Sequence, residues 1–235
     1  AYVCLRAAQF LGRRYNELEI VSCHLGNGAS VCAVDHGRSV DTSMGLTPTE
    51  GLIMGTRSGD VDPGLIVYLA RTEGLSPDAI EKLIQKESGL LGLSGISHDM
   101  REVEKAASEG NHRALLALKT FCYRVRKYIG AYVAAMGGID AIVFTGGIGQ
   151  GSSAVRSLAL QNLDLMGIRL DDDLNRGARG FDEVCRISTD DSRIPVLVVP
   201  TDEERMIARE ALRALTRSWY DRVAESRKAE PILIE

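Results

Sequence analysis

Ile139-Asp-Ala-Ile-Val-Phe-Thr-Gly-Gly-Ile-Gly-Gln-Gly-Ser-Ser153 is the stretch on which the reading of the whole chain turns. Ala141 to Phe144 is a short apolar run with β-branched and aromatic members, which predicts a buried strand. Gly146, Gly147 and Gly149 follow at once, so the backbone is expected to turn there. Ser152 or Ser153 then caps a helix to Met166, with Val155, Leu158, Leu160 and Leu165 as its apolar positions. A strand, a glycine turn and a helix start let a phosphate approach bare backbone and meet unpaired N–H groups. A tight turn between two core elements explains the same residues, because glycine serves any turn that needs positive φ. Both readings stand at this point.

Working outward, Gly137 and Gly138 end a long helix that starts at Asn111. It carries Leu115, Leu118, Cys122, Val125, Ile129, Val133 and Met136 at spacings of three and four, an apolar face for the core or for a second subunit. On the other side, Gly167 to Asp191 reads as an irregular excursion with a short strand near Glu183 to Ile187, and Ile194 to Val199 as a buried strand. Thr201 and Glu204 have capping-box spacing at the start of a last helix, with Ile207, Ala211, Leu212 and Leu215 inward. That box leaves Glu203 free for a ligand or cation. Beyond Thr216 the tail is charged.

The beginning of the chain reads as a helix, Ala1 to Tyr15, then three antiparallel strands at Glu19–Cys23, Ser30–Val34 and Ser39–Thr42. Gly26-Asn27-Gly28 and Asp35-His36-Gly37-Arg38 mark the turns between them. His24 at the end of the first strand is either a phosphate donor or a hydrogen-bonded histidine under the turn. From Asp41 to Gly64 the chain carries five glycines and two prolines without periodicity, and so long a loop in a compact domain is usually functional. Arg57, between Gly55 and Gly59, has the planar fork that suits a phosphoryl group, against the plainer reading of a solvated loop arginine. Asp62 before Pro63 is an N-cap. Helices are expected at Pro63–Arg71 and Ser76–Lys86, then a glycine-broken segment to Gly95, and another helix opened by Asp99 with Glu102 as a capping box.

Composition sets limits. With 235 residues and 45% hydrophobic content the chain has material for one large domain or two small ones, and a net charge of −4 gives no general attraction for nucleic acid or an anionic membrane. Five widely spaced cysteines without a Cys-x-x-Cys pair read as buried thiols in a reducing cytoplasm. No apolar run has transmembrane length. A start without Met, directly in a helix pattern, leads us to expect a piece of a longer protein. Ser152 stands where a third Rossmann glycine belongs, and no P-loop pattern occurs.

Six segments in register complete the reading: His24-Leu-Gly-Asn-Gly28, Asp41-Thr-Ser-Met-Gly-Leu-Thr-Pro48, Met54-Gly-Thr-Arg57, Glu87-Ser-Gly-Leu-Leu91, Phe144-Thr-Gly-Gly-Ile-Gly149 and Pro200-Thr-Asp-Glu-Glu204. Together they closely resemble the acetate kinase family, over residues 1 to about 216. The resemblance implies an α/β fold, the actin-like ATPase (ribonuclease H-like) domain with a mixed sheet and helices packed on it. It implies that residues 1–216 are the C-terminal nucleotide-binding domain and its leading helix, and that 217–235 are a tail. It implies phosphoryl transfer between ATP and acetate, giving ADP and acetyl phosphate, with Mg²⁺ (or Mn²⁺) and a cytoplasmic homodimer. Propionate or butyrate kinase, and a non-catalytic nucleotide-binding or dimerising module, are the alternatives.

Residue by residue, the resemblance implies nucleotide contacts from His24, Leu25, Gly26, Asn27 and Gly28, from Asp99, Met100 and Arg101, and from Gly146, Gly147, Ile148, Gly149 and Gln150. Arg57 is the transition-state arginine, Pro48 belongs to the acetate pocket and Glu203 is the Mg²⁺ ligand. Gln150 departs from the family's usual Glu, which removes a charge beside the nucleotide. The family's other domain, with its catalytic Asp and a His-bearing segment, would precede Ala1.

Overall fold

Strict alternation of side chains builds the sheet. In the computed structural model, which describes residues 1–178, 183–202, 204, 206–208 and 211–212, Val21, Cys23 and Leu25 of strand β1 (Glu19–Leu25) face one core cluster, and Ile20 faces another. Strand β2 (Ala29–Asp35) runs back antiparallel to β1, and β3 (Arg38–Thr42) antiparallel to β2. The two turns are those expected. Gly26–Gly28 closes the first hairpin, and His36 (φ 47°) with Gly37 (φ 82°) closes the second in the left-handed conformation that matches strand twist. Strand β4 (Ala141–Thr145) lies beside β1 and parallel to it, with every residue buried. The late strands are shorter than the sequence suggests: β5 (Cys185–Arg186) and β6 (Val196–Val198), with β6 parallel to β4. The order β3-β2-β1-β4-β6-β5 is a mixed sheet of the actin-like, ribonuclease H-like type.

Helix α1 (Tyr2–Phe10) puts Cys4, Ala7 and Ala8 on the face that holds Ile20, Val143 and Leu197. It ends earlier than Tyr15, and Tyr15–Glu17 is a separate 3₁₀ turn. Helices α2 (Pro63–Arg71) and α3 (Pro77–Lys86) start at Asp62 and Ser76, whose side chains accept from Gly64 N–H and Ala79 N–H. The glycine-broken segment is a correction: Gly89–Ser94 forms a helix, α4, started by Gly89 at φ 62° where a side chain would meet the Met54 carbonyl, and ended by left-handed Gly95. Helix α5 (Met100–Ser108) is followed by α6 (His112–Met136), capped by Asn111 and ended by Gly137 at φ 81°.

The apolar face of α6 is packed inside the protein. Ala114, Ala117, Leu118, Phe121, Cys122, Val125, Ile129 and Tyr132 are buried in the main core, which includes the sheet face of Val21 and Phe144. Of its large apolar side chains, α6 leaves Leu115, Leu116 and Tyr123 exposed, Leu115 against expectation. The glycine stretch is a second correction: Gly146–Gly151 is a six-residue helix, α7, directly on the end of β4. Ser152 then caps α8 (Ser153–Leu160), which ends well before Met166 because Gln161 turns to extended backbone. Leu165, expected inward, is fully exposed in the 3₁₀ turn Asp164–Met166. Helix α9 (Asp172–Gly177) interrupts the excursion.

Cys4, Cys23 and Cys122 are buried free thiols; burial pushes Cys4 up to about 11 and Cys122 up to about 12. The chain divides into two compact units, Ala1 with Val3–Pro200, and Tyr2 with the residues from Thr201 on. Residues 204, 206–208 and 211–212 are helical, with Ile207 and Leu212 exposed rather than inward. Glu203 and the expected boundary at 216 lie outside the described residues.

Candidate nucleotide cavity

Parallel neighbours β1 and β4 end side by side, so the loops that follow them meet. In a sheet of this kind the carboxyl ends of adjacent parallel strands open a crevice for ligands. Gly146, at φ 78°, lies against β1: a side chain there would come within 2.6 Å of the Leu25 carbonyl, so packing alone requires glycine. Gly147 and Gly151 are different. Both have ordinary backbone, and a Cβ added at either meets no protein atom within 4 Å. They line a cavity of about 360 Å³ together with Gly26, Asn27, His98, Asp99, Met100, Arg101, Glu104, Ile148 and Ser152, a volume within the usual range of small-molecule sites.

Of the thirteen residues expected to touch the nucleotide, seven line this cavity: Gly26, Asn27, Asp99, Met100, Arg101, Gly147 and Ile148. Leu25, Gly146, Gly149 and Gln150 form the support behind it. Gln150 is buried and Gly149 packs beside Leu25. His24 sits in register with Thr145 at the strand ends. Thr145 carries the one buried side-chain oxygen without a hydrogen-bond partner among the described residues. Such an atom costs roughly 1–3 kcal/mol.

Asp99 caps α5 by accepting from Arg101 N–H at 2.9 Å, and the Arg101 guanidinium forks onto the same carboxylate, Nε to Oδ1 at 3.0 Å and Nη2 to Oδ2 at 2.5 Å. These hydrogen bonds hold the Asp99 carboxyl down to about 2. The capping box is not reciprocal, however, because the Asp99 N–H donates to Ser97 Oγ at 3.1 Å rather than to Glu102. Across the cavity, Ser152 Oγ accepts from Val155 N–H at 3.0 Å and donates to Glu104 Oε1. Burial raises the half-buried Glu104 carboxyl, against that hydrogen bond.

Arg57 and Pro48 stand next to this cavity, not in it. The Arg57 guanidinium donates to the Pro48 carbonyl at 3.1 Å and lies 3.4 Å from where a Gly28 side chain would begin. Its loop is no solvated excursion: Leu52, Ile53 and Met54 are buried. Gly51 and Asp60 close the loop reciprocally (2.8 and 3.0 Å), and Ser88, Leu90 and Leu91 donate to the Thr56, Met54 and Gly55 carbonyls. Gly55 N–H donates to the Asn27 carbonyl at 3.0 Å, which joins the arginine loop to the β1 turn.

Sequence reading missed Glu104, His98 and Arg156. Arg156 is fully buried, and its five N–H donors reach five acceptors: Asn175 Oδ1 (2.7 Å) and the carbonyls of Gly149 (2.9 Å), Gln150 (2.8 Å), Asn175 (2.6 Å) and Ala178 (3.0 Å). Burial lowers it to about 10, so it stays charged at neutral pH. An apolar spacing pattern gives no sign of such a residue. Glu19, Asp35 and His36 could also share a cation, but they lie at the far end of β1 from the cavity.

The profile of the acetokinase family matches residues 1–209. An acetate kinase of Dictyoglomus thermophilum is 53% identical over 214 residues, 91% of this chain and 53% of that protein. One of Natranaerobius thermophilus is 55% identical over 210 residues, 89% of this chain and 52% of that protein. Among solved structures, an acetate kinase of Porphyromonas gingivalis superposes with a TM-score of 0.87 at 48% identity, covering 91% of this chain and 53% of its own. A propionate kinase of Francisella tularensis superposes at 0.82 with 40% identity, covering 89% and 52%. The chain thus spans about half the length of the curated relatives it matches.

Proposed function

The chain belongs to the acetokinase family, and on that premise we propose that residues 1–216 supply the nucleotide-binding half of an acetate kinase. That enzyme passes a phosphoryl group between ATP and acetate, giving ADP and acetyl phosphate. The observation that carries this reading is the cavity at the ends of β1 and β4, where Gly147 and Gly151 leave room that no protein atom uses. The phosphates lie over the Gly26–Gly28 turn and the Gly146–Gly147 backbone, and Asp99–Arg101 and Ile148 border the nucleoside. His24 and Thr145 stand at the phosphate end.

Arg57, tied down by its own loop, offers a fixed cation to the transferring phosphoryl group beside Pro48. Phosphoryl transfer needs alignment and charge neutralisation more than covalent chemistry. A Mg²⁺ ion, with Mn²⁺ as substitute, supplies charge neutralisation on the phosphate oxygens when bound. Within the cavity the donor set leaves little for it, since Asp99 is occupied by Arg101 and Glu104, bonded through one oxygen to Ser152, has a single carboxylate oxygen left; Glu203 is the ligand we assign. The homodimer and the cytoplasmic setting rest on the family alone, and propionate is the nearest competing substrate.

A chain spanning half its relatives should bind nucleotide without completing the reaction, because Arg57 alone does not align two substrates. Calorimetry with Mg·ADP and a hydroxamate assay for acetyl phosphate on the 235-residue chain test this. Measurable ADP binding without turnover is expected, and absence of binding overturns the reading.

A further inference from the structure

Resting on the nucleotide reading above, we propose that Glu104 is a specificity-determining residue: its carboxylate, held by Ser152, accepts a hydrogen bond from a neutral donor on the nucleoside end of the bound nucleotide. The donor is either the exocyclic amine of adenine or a ribose hydroxyl. Three observations lead to this. The first is direction. Helix α7 forms one wall of the cavity and contributes Gly147, Ile148 and Gly151, and its six residues span roughly 9 Å. Its first residue lies against the Leu25 carbonyl at the strand ends, while Ser152, with Glu104 hydrogen-bonded to it, lies beyond its last. The cavity therefore has a glycine-turn end and a Glu104 end.

The second is charge. A carboxylate and a phosphate oxygen about 4 Å apart repel by about 4 kcal/mol at an effective dielectric constant of 20. A polyphosphate is thus kept at the glycine-turn end, and the uncharged nucleoside is left facing Glu104. Asp99 does not counter this argument, since Arg101 neutralises it.

The third is valence. Ser152 Oγ already accepts from Val155 N–H and gives its single proton to Glu104 Oε1. The serine has no further proton to give. Among the described residues Glu104 makes no other hydrogen bond, and it still borders the cavity, so its second oxygen has acceptor capacity that none of them fills. A half-buried acceptor in a ligand cavity is best satisfied by a ligand donor, and a ligand without that donor is discriminated against.

The test is calorimetry on the 235-residue chain with the magnesium complexes of ADP, IDP (no exocyclic amine), 2′-deoxyADP and 3′-deoxyADP, comparing the unaltered protein with Glu104→Ala and Glu104→Gln. Circular dichroism melts serve as the folding control. ADP should bind about tenfold tighter than whichever analogue lacks the donor. That preference should shrink to about twofold in Glu104→Ala and partly persist in Glu104→Gln, which still offers an acceptor. If ADP binds and Glu104→Ala leaves every ratio unchanged, or weakens all four nucleotides equally, the assignment of Glu104 is overturned while the nucleotide site stands. If the unaltered protein binds none of them, the nucleotide reading itself falls.

Discussion

Arg156 makes the sharpest stability prediction. Replacing it with Met keeps most of the aliphatic stem but removes the guanidinium and all five donors, leaving the carbonyls of Gly149, Gln150, Asn175 and Ala178 and the Asn175 amide oxygen unpaired in a site closed to solvent. Each buried unsatisfied acceptor costs roughly 1–3 kcal/mol. Against that sum stands the recovered cost of burying a cation, several kcal/mol, since the five acceptors around Arg156 are all neutral. The net loss expected for Arg156→Met is about 3–5 kcal/mol, the excess of five unsatisfied acceptors over the recovered desolvation of one cation. In a protein of this size that lowers Tm by about 6–20 °C.

Arg156→Lys keeps the charge but has three donors for five acceptors, so it should still lose roughly 2–4 kcal/mol. The assay is urea unfolding followed by circular dichroism. Arg13→Met serves as control, because its ion pair with Asp140 is partly exposed and contributes no more than about 1 kcal/mol. Because Arg156 also holds the last turn of α7, Mg·ADP affinity should fall with stability. A loss under about 1 kcal/mol for Arg156→Met would refute the claim that the guanidinium clamps this loop.

Two glycines of the same helix should part company. Gly146→Ala forces a side chain into positive φ and onto the Leu25 carbonyl and should cost about 2 kcal/mol or more, whereas Gly151→Leu, directed into open space, should leave unfolding within about 0.5 kcal/mol and cut Mg·ADP affinity at least about tenfold; equal melting curves for the two variants would contradict this. Thr145→Val removes the partnerless buried hydroxyl at constant shape, so stability should hold or rise by about 1–3 kcal/mol in urea unfolding while nucleotide binding weakens; a destabilised variant would mean that the hydroxyl has a partner. Asp99 has a folded-state value near 2 against 3.8 for the free side chain, so its contribution is present above about pH 4 and lost as pH falls towards 2. The stability gap between the unaltered protein and Asp99→Asn should therefore close over that acid range, and a gap that persists at pH 2 would rule the cause out.

Much of the fold was legible because its signals are local. Asp62 before Pro63, Asn111 and Gly137 mark helix ends through bonds that reach only two to four residues, and each appears where it was expected, while of Ser152 and Ser153 it is Ser152 that caps α8. The turn residues Gly26-Asn27-Gly28 and Asp35-His36-Gly37-Arg38 placed β1, β2 and β3, and six short segments in register carried the family and with it the sheet type. Where a second interaction competed, local reading failed. Asp99 and Glu102 have the spacing of a capping box, but Ser97 takes the Asp99 N–H. Residues 146–151 have the composition of a turn, and four glycines in six residues disfavour a helix by about 1 kcal/mol each, yet α7 forms because Arg156 holds its last carbonyls. The apolar stripe of α6 announced burial but not its partner, which proved to be the protein's own sheet. The cavity belongs wholly to tertiary structure: Glu104 meets Ser152 across 48 residues, and the Gly26 and Gly147 loops adjoin only because β1 and β4 pair in parallel. No spacing in a sequence encodes such meetings, since they depend on which strands become neighbours, and that is settled by packing the whole core at once.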